Sequence, residues 1–259
     1  MKAADMFNLG GRVALVTGAS SGLGQQFARA LADNGAAVAL VARRADRLQA
    51  LKKDIEGKGG KAVAIEADVT DRAAMARAFD AAEKAFGTVT ILVNNAGVAQ
   101  KPMRATEVPP EEWRRVLATD LDAVFSWAQE AARRMLAAKA RGAIVNIASV
   151  LGFGVAKGTA AYAVSKAAVV QTTKALALEL AFKGVRVNAI APGWFVTEIN
   201  DEYLNSEAGA AIKRDIPMGR FGNAGDLDGA LLLLVSDAGA YITGATILVD
   251  GGQVVQIKG

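Results

Sequence analysis

Tyr162 and Lys166 stand four residues apart in a segment with helical periodicity, so both project from one helix face. Ser149 lies thirteen residues before Tyr162, at the end of an apolar run. A phenol with a reference pKa near ~10 is a poor proton carrier at neutral pH unless something favours its phenolate. An ammonium about 5 Å away, at an effective dielectric of ~20, supplies roughly 3 kcal/mol of that preference. The rest of the composition narrows the choice. The chain has no His and no Cys, which excludes Ser-His-Asp triads, cysteine nucleophiles, disulfides and His- or thiolate-based metal sites. Proton transfer must then run through Tyr, Lys, Asp or Glu. Taken alone, a Tyr four residues before a Lys is also what a ring packed on a lysine stem looks like.

The elements that must position these groups alternate along the chain. Val13 to Val16 form a short apolar run, as in a strand buried on both faces. Gly18, Gly22 and Gly24 follow, and then a helical segment from Gln25 to Asp33. Strand, glycine turn and helix start make an anion site, because backbone N–H groups and the positive helix end converge there. Further strands are expected at Ala36 to Arg43, Lys61 to Asp68, Thr90 to Gly97, Ala143 to Ser149, Val185 to Gly193 and Ala245 to Gly252. Helical patterns separate them: Leu48, Leu51 and Ile55; Met75, Phe79, Ala82 and Phe86; Pro110 to about Ala140; Thr159 to Phe182; and Leu227 to Val235. The fold class is therefore α/β, a Rossmann-type doubly wound parallel sheet of seven strands with helices on both faces. At 259 residues with 52% hydrophobic residues, a single domain over 1–259 is expected, with a polar segment at about 195–215 as a mobile substrate lid.

Ligands of such sheets bind beyond the carboxyl ends of the strands. In the glycine turn, Gly18, Ser20, Ser21, Gly22, Leu23 and Gly24 are assigned to a dinucleotide. After the second strand, Ala42 offers no carboxylate to a ribose while Arg43 and Arg44 offer guanidinium forks to a 2′-phosphate. This favours NADP(H), with NAD(H) as the second option; a solvated helix start would read the same way. Asp68 and Val69 are candidates for the adenine, although Asp68, Thr70 or Asp71 could equally cap the next helix. Asn94 and Asn95, with Ala96 and Gly97, place two amides and a turn at the cofactor edge, where a plain Asx turn would look alike. Pro192, Gly193, Val196 and Thr197 are assigned to the nicotinamide end. Leu151 and Trp194, with Ser149 and Tyr162, are the substrate candidates; Trp194 and Phe195 could instead be core aromatics.

The set TGASSGLG (Thr17 to Gly24), NNAG (Asn94 to Gly97), Ser149/Tyr162/Lys166, PGWFVT (Pro192 to Thr197) and the closing TGATILVDGG resembles the short-chain dehydrogenase/reductase family, from about Leu9 to Gly252. The resemblance implies that Ser149 hydrogen-bonds a carbonyl oxygen, that Tyr162 delivers or removes the proton, and that Lys166 binds the nicotinamide ribose and assists Tyr162. It also implies a homotetramer. The family usually has a fourth catalytic residue, an Asn, where this chain has Asp120. Its role runs largely through its backbone carbonyl, which Asp keeps, so activity is expected to survive. A carboxylate cannot donate as an amide does, so the side-chain bonds must change.

The expected activity is an oxidoreductase that reduces a ketone or oxidises the matching secondary alcohol, resembling 3-oxoacyl-thioester reductases. The runner-up is an NAD-dependent sugar-acid, polyol or steroid dehydrogenase. A non-catalytic dinucleotide sensor is the reading from another class, and a complete Ser149, Tyr162 and Lys166 argues against it. The partner is a small carbonyl or alcohol. The net charge of only +4 comes from scattered residues, which speaks against nucleic acid. No apolar run approaches a membrane span and no signal peptide is evident, so a cytoplasmic protein is expected.

Overall fold

The computed structural model describes residues 2–198 and 200–255. Seven parallel strands run in the order β3-β2-β1-β4-β5-β6-β7. They are β1 (Val13–Thr17), β2 (Ala37–Ala42), β3 (Lys61–Glu66), β4 (Ile91–Asn94), β5 (Gly142–Ile147), β6 (Val185–Pro192) and β7 (Thr246–Val249). The connecting helices are α1 (Gly22–Asp33), α2 (Ala45–Gly57), α3 (Arg72–Phe86), α4 (Pro110–Leu117), α5 (Ala123–Ala137), α6 (Ala160–Leu180), α7 (Glu207–Arg214) and α8 (Asp228–Val235).

Side chains alternate across the sheet and build a core on each face. Ala14 and Val16 of β1, with Val38 and Leu40 of β2, pack against Phe27 and Leu31 of α1, Leu48 and Leu51 of α2, and Leu231 and Leu234 of α8. Val13 and Leu15, with Ala39 and Val41, face Phe79 of α3, Trp127 and Met135 of α5, and Leu176 of α6. Phe79 and Trp127 are fully buried with ring centroids 5.6 Å apart. Each such side chain contributes roughly 1.5–3 kcal/mol by leaving water. Strand order reverses direction between β1 and β4, which opens a crevice at their carboxyl ends.

Three regions add detail to the periodicity reading. The helical region after Pro110 is two helices joined by a π-helical turn, Ala118–Asp122; its wider coil turns Asp120 inward. The polar stretch after β6 contains the turn Asp201–Leu204 and helix α7. Phe195 belongs to the core, packed against Gly222. Among the described residues, no helix is long and apolar enough to cross a membrane, and no acidic, His or Cys cluster could hold a metal ion.

Candidate active site

The glycine turn is closed by contact with β4. Gly18 adopts φ +68°, a left-handed conformation that a side chain rarely takes. A Cβ on Gly24 would collide with the Gly18 carbonyl and the Asn95 amide. Asn95 Nδ2 donates to the Thr17 carbonyl at 3.0 Å, and Thr17 Oγ1 accepts the N–H groups of Asn95 and Ala96 at 3.0 and 3.1 Å. These bonds lock the end of β4 to the end of β1. Helix α1 then starts at Gly22 with no acidic residue in its first turn and no side chain capping its N–H groups, so its positive end faces the crevice.

At the adenosine side, Arg44 and not Arg43 reaches the turn. Its guanidinium donates to Ser20 Oγ at 3.0 Å and to Ser21 Oγ at 2.7 Å. Arg43 lies 3.9 Å from Asp68 with 73% of its side chain exposed. Asp68 accepts from Thr70 N–H and Oγ1, and these bonds, more than Arg43, hold its carboxyl below the usual carboxylate range. The cap of α3 is Asp71, which accepts from Ala73 and Ala74. Val69 is fixed by Trp127, whose indole donates to its carbonyl at 2.9 Å. An uncapped helix start, a glycine turn, a cationic fork and a carboxylate edge suit a nicotinamide dinucleotide.

Of the two asparagines of NNAG, only Asn95 faces the turn. Asn94 is buried and points into the core, donating to the Val124 carbonyl and to Asn146 Oδ1, both at 3.0 Å. Asn146 donates in turn to Thr173 Oγ1 at 2.9 Å. This ladder ties β4, β5, α5 and α6 together. The expectation that both amides sit at the cofactor edge is corrected accordingly, because an amide on this face of β4 finds partners beneath the sheet end. The polar Asn146 within the apolar run AIVNIAS was the available signal.

The proton-active residues converge where β5 ends. Ser149 is buried, and its Oγ accepts the Leu151 N–H at 3.1 Å. Tyr162 is half-buried on the first turns of α6. Lys166 is buried, donates to the Ile147 carbonyl at 3.1 Å, and sits 5.4 Å from the centre of the Tyr162 ring. Asp120, fully buried, places Oδ2 3.3 Å from Lys166 Nζ and accepts the Val98 N–H on Oδ1 at 2.8 Å. Burial works against the Lys166 charge, but Asp120 and Tyr162 outweigh it and hold the ammonium above its usual range.

The start of α6 has an unforeseen support. Thr159 spends its hydroxyl on the Ala156 carbonyl, and the buried Gln100 accepts the Ala161 and Tyr162 N–H groups at 2.7 and 3.4 Å. Gln100 also donates to the Gly158 carbonyl at 3.0 Å. No sequence pattern marks it, since it caps a helix 61 residues away.

On the outer side of α6 lies a cavity of about 1010 Å³ lined by Met103, Leu151, Phe153, Val155, Ala163 and Val164, and Ser149, Tyr162 and Lys166 are not among its lining residues. Leu151 lines this cavity and Trp194, half-buried, does not. On the nicotinamide side, Pro192 ends β6, Gly193 packs closely on Asp250, and Val196 is exposed. Thr197 binds Asn200 Oδ1 through its N–H and Oγ1, at 2.8 and 3.0 Å, and its methyl faces Gly22. Next to it, Glu198 pairs with Arg47 of α2 at 2.6 Å.

Comparison with known proteins agrees with this geometry. Residues 18–253 match a family model described as enoyl-(acyl carrier protein) reductase. The chain is 40% identical over 250 residues to D-threitol dehydrogenase of Mycolicibacterium smegmatis, covering 96% of this chain and 95% of the relative. It is 38% identical to a 3-oxoacyl-[acyl-carrier-protein] reductase of Staphylococcus aureus, covering 93% and 97%. A solved gluconate 5-dehydrogenase of Burkholderia cenocepacia, in complex with NADP and tartrate, superposes with a TM-score of 0.93 at 35% identity, covering 99% of this chain and 100% of that one.

Proposed function

Because the chain belongs to the short-chain dehydrogenase/reductase family and is a nicotinamide-dependent oxidoreductase of ketones or secondary alcohols, we propose that it works with NADP(H) in preference to NAD(H), with Tyr162 as its acid and base. The observation that carries the catalytic assignment is the buried Lys166 ammonium, fastened to the end of β5 and facing the Tyr162 ring. In reduction, the Tyr162 hydroxyl gives its proton to the substrate oxygen and the ammonium stabilises the phenolate left behind; oxidation reverses the transfer. Ser149 already accepts the Leu151 N–H, which leaves its own proton for the substrate carbonyl. A bound nicotinamide cofactor supplies or takes up hydride. The start of α1, Asn95 and Thr197 hold and orient that cofactor, and Arg44 with Ser20 and Ser21 forms the cradle for a 2′-phosphate.

The substrate is a small carbonyl compound or alcohol that enters between Leu151 and the 195–215 segment, which acts as a lid. An acyl- or alkyl-bearing ketone draws on the likeness to 3-oxoacyl-[acyl-carrier-protein] reductase. A second reading, polyol or sugar-acid oxidation, draws on the threitol and gluconate relatives. The protein acts in the cytoplasm as a homotetramer. Support for assembly comes from Val164 and Leu178, exposed on the outer side of α6, from Phe182, exposed in the turn after it, and from the open edge of β7 beside exposed Tyr241.

The test is absorbance at 340 nm with NADPH and NADH side by side against acetoacetyl thioesters, keto esters, aryl ketones and keto sugar acids. NADPH oxidation with a thioester or ketone supports the first reading. NADH preference with keto sugars supports the second, and cofactor binding without turnover on any substrate refutes both.

A further inference from the structure

The buried charge pair beneath α6 is not accounted for by the roles above. Asp120 sits on a π-helical turn, fully buried, with its two oxygens in different situations. Oδ1 is anchored by the Val98 N–H at 2.8 Å. Oδ2 has no aligned hydrogen bond; it lies 3.3 Å from Lys166 Nζ and occupies the space that a Cβ on Gly97 would approach to 3.2 Å. A desolvated carboxylate held this way is tolerated only beside a cation.

We propose that Asp120 is a positioning residue whose carboxylate holds Lys166 against the end of β5 and sets the pH at which the Tyr162/Lys166 pair releases its first proton. This rests on the reading of Tyr162 as the proton carrier. The charged and titratable groups around Asp120 are few. From α6 it faces Lys166, whose ammonium lies 5.4 Å from the centre of the Tyr162 ring. From α4, Arg115 feels its charge, but that guanidinium is exposed and committed to Glu112 and the Ala99 carbonyl. Asp122, on the same turn, is exposed. The buried centre therefore sets the Lys166 ammonium against the Asp120 carboxyl group, with the Tyr162 ring beside them. The family's amide at this position would leave the ammonium uncompensated. Because either proton of the pair departs against the carboxylate's attraction, removing that charge makes the first loss easier whichever group gives it up. Asp120 thus shifts the working range of this enzyme toward alkaline pH relative to an amide-bearing one.

The test is Asp120→Asn, which keeps an oxygen for the Val98 N–H. The acid limb of kcat for alcohol oxidation is expected to move down by about one pH unit. In the cofactor-free protein, the tyrosinate absorbance at 295 nm, taken as the difference from the same protein carrying Tyr162→Phe, is expected to rise at lower pH by a similar shift. A limb and an absorbance that stay in place, or that move upward, overturn the proposal. Should the wild type lack turnover, the absorbance titration still decides the role of Asp120 while the catalytic reading falls on its own. Should the variant fail to fold, ¹³C-labelled lysine NMR of the wild type serves. Lys166 is expected to lose its proton after the surface lysines, and titration with or before them contradicts the proposal.

Discussion

At the floor of the cleft, Asp120 and Lys166 are buried and 3.3 Å apart, and Lys166 is bonded to a strand-end carbonyl. At the adenosine end, Arg43 faces Asp68 across 3.9 Å with most of its side chain in water, and Arg44 rests on two serine hydroxyls. Both regions pair cations with polar partners, yet their energetics differ. Water screens and replaces the rim contacts, so each is worth little to the fold and can be given up to a ligand. The floor pair is buried, so losing one partner strands the other. The floor is thus suited to a fixed chemical task, and the rim to a cofactor preference that can be tuned.

The largest effect should come from Lys166→Met. It leaves Asp120 buried without its cation, and we expect stability to fall by about 3 kcal/mol, measured by urea unfolding at pH 7, together with loss of turnover. Stability unchanged within about 0.5 kcal/mol would mean that Asp120 is accommodated as the neutral acid, and the contrast would collapse. At the rim, Arg43→Asp should leave stability intact and move the NADP/NAD ratio of kcat/KM toward NAD by roughly 10- to 100-fold. Arg44→Ala sharpens this, because Arg44 holds the serines of the turn. If Arg44 forms the cradle, its loss raises the KM for NADPH more than that for NADH, and equal changes would return the preference to Arg43 alone. The smallest effect belongs to Arg47→Ala. Its exposed pair with Glu198 should contribute under about 1 kcal/mol, seen as a small, salt-sensitive change in cofactor KM and no change in urea midpoint.

The same division explains what could be read from the chain. The strand, turn and helix at Val13–Asp33 were legible because buried β periodicity and glycine spacing are local properties. Tyr162 and Lys166 were legible because four residues of helix bring them to one side. The π-helical turn at Ala118–Asp122 was not, since two amphipathic helices with a one-residue slip read as one continuous pattern. The inward turn of Asn94, the Asn146–Thr173 bond and the Gln100 cap join residues 27 to 61 apart, and nothing at either end announces the other. The order of Arg43 and Arg44 depends on which of two adjacent, exposed side chains turns toward the serines.

The central claim is that the floor moves the proton while the turn and rim hold the cofactor. Tyr162→Phe tests it most directly, because it removes one hydroxyl and leaves the ring that Lys166 faces. NADPH binding by fluorescence and turnover at 340 nm should be measured on the same preparation. The account predicts an NADPH Kd within about twofold of wild type, with kcat reduced by roughly 10²–10⁴-fold. A kcat near that of the wild type would contradict it.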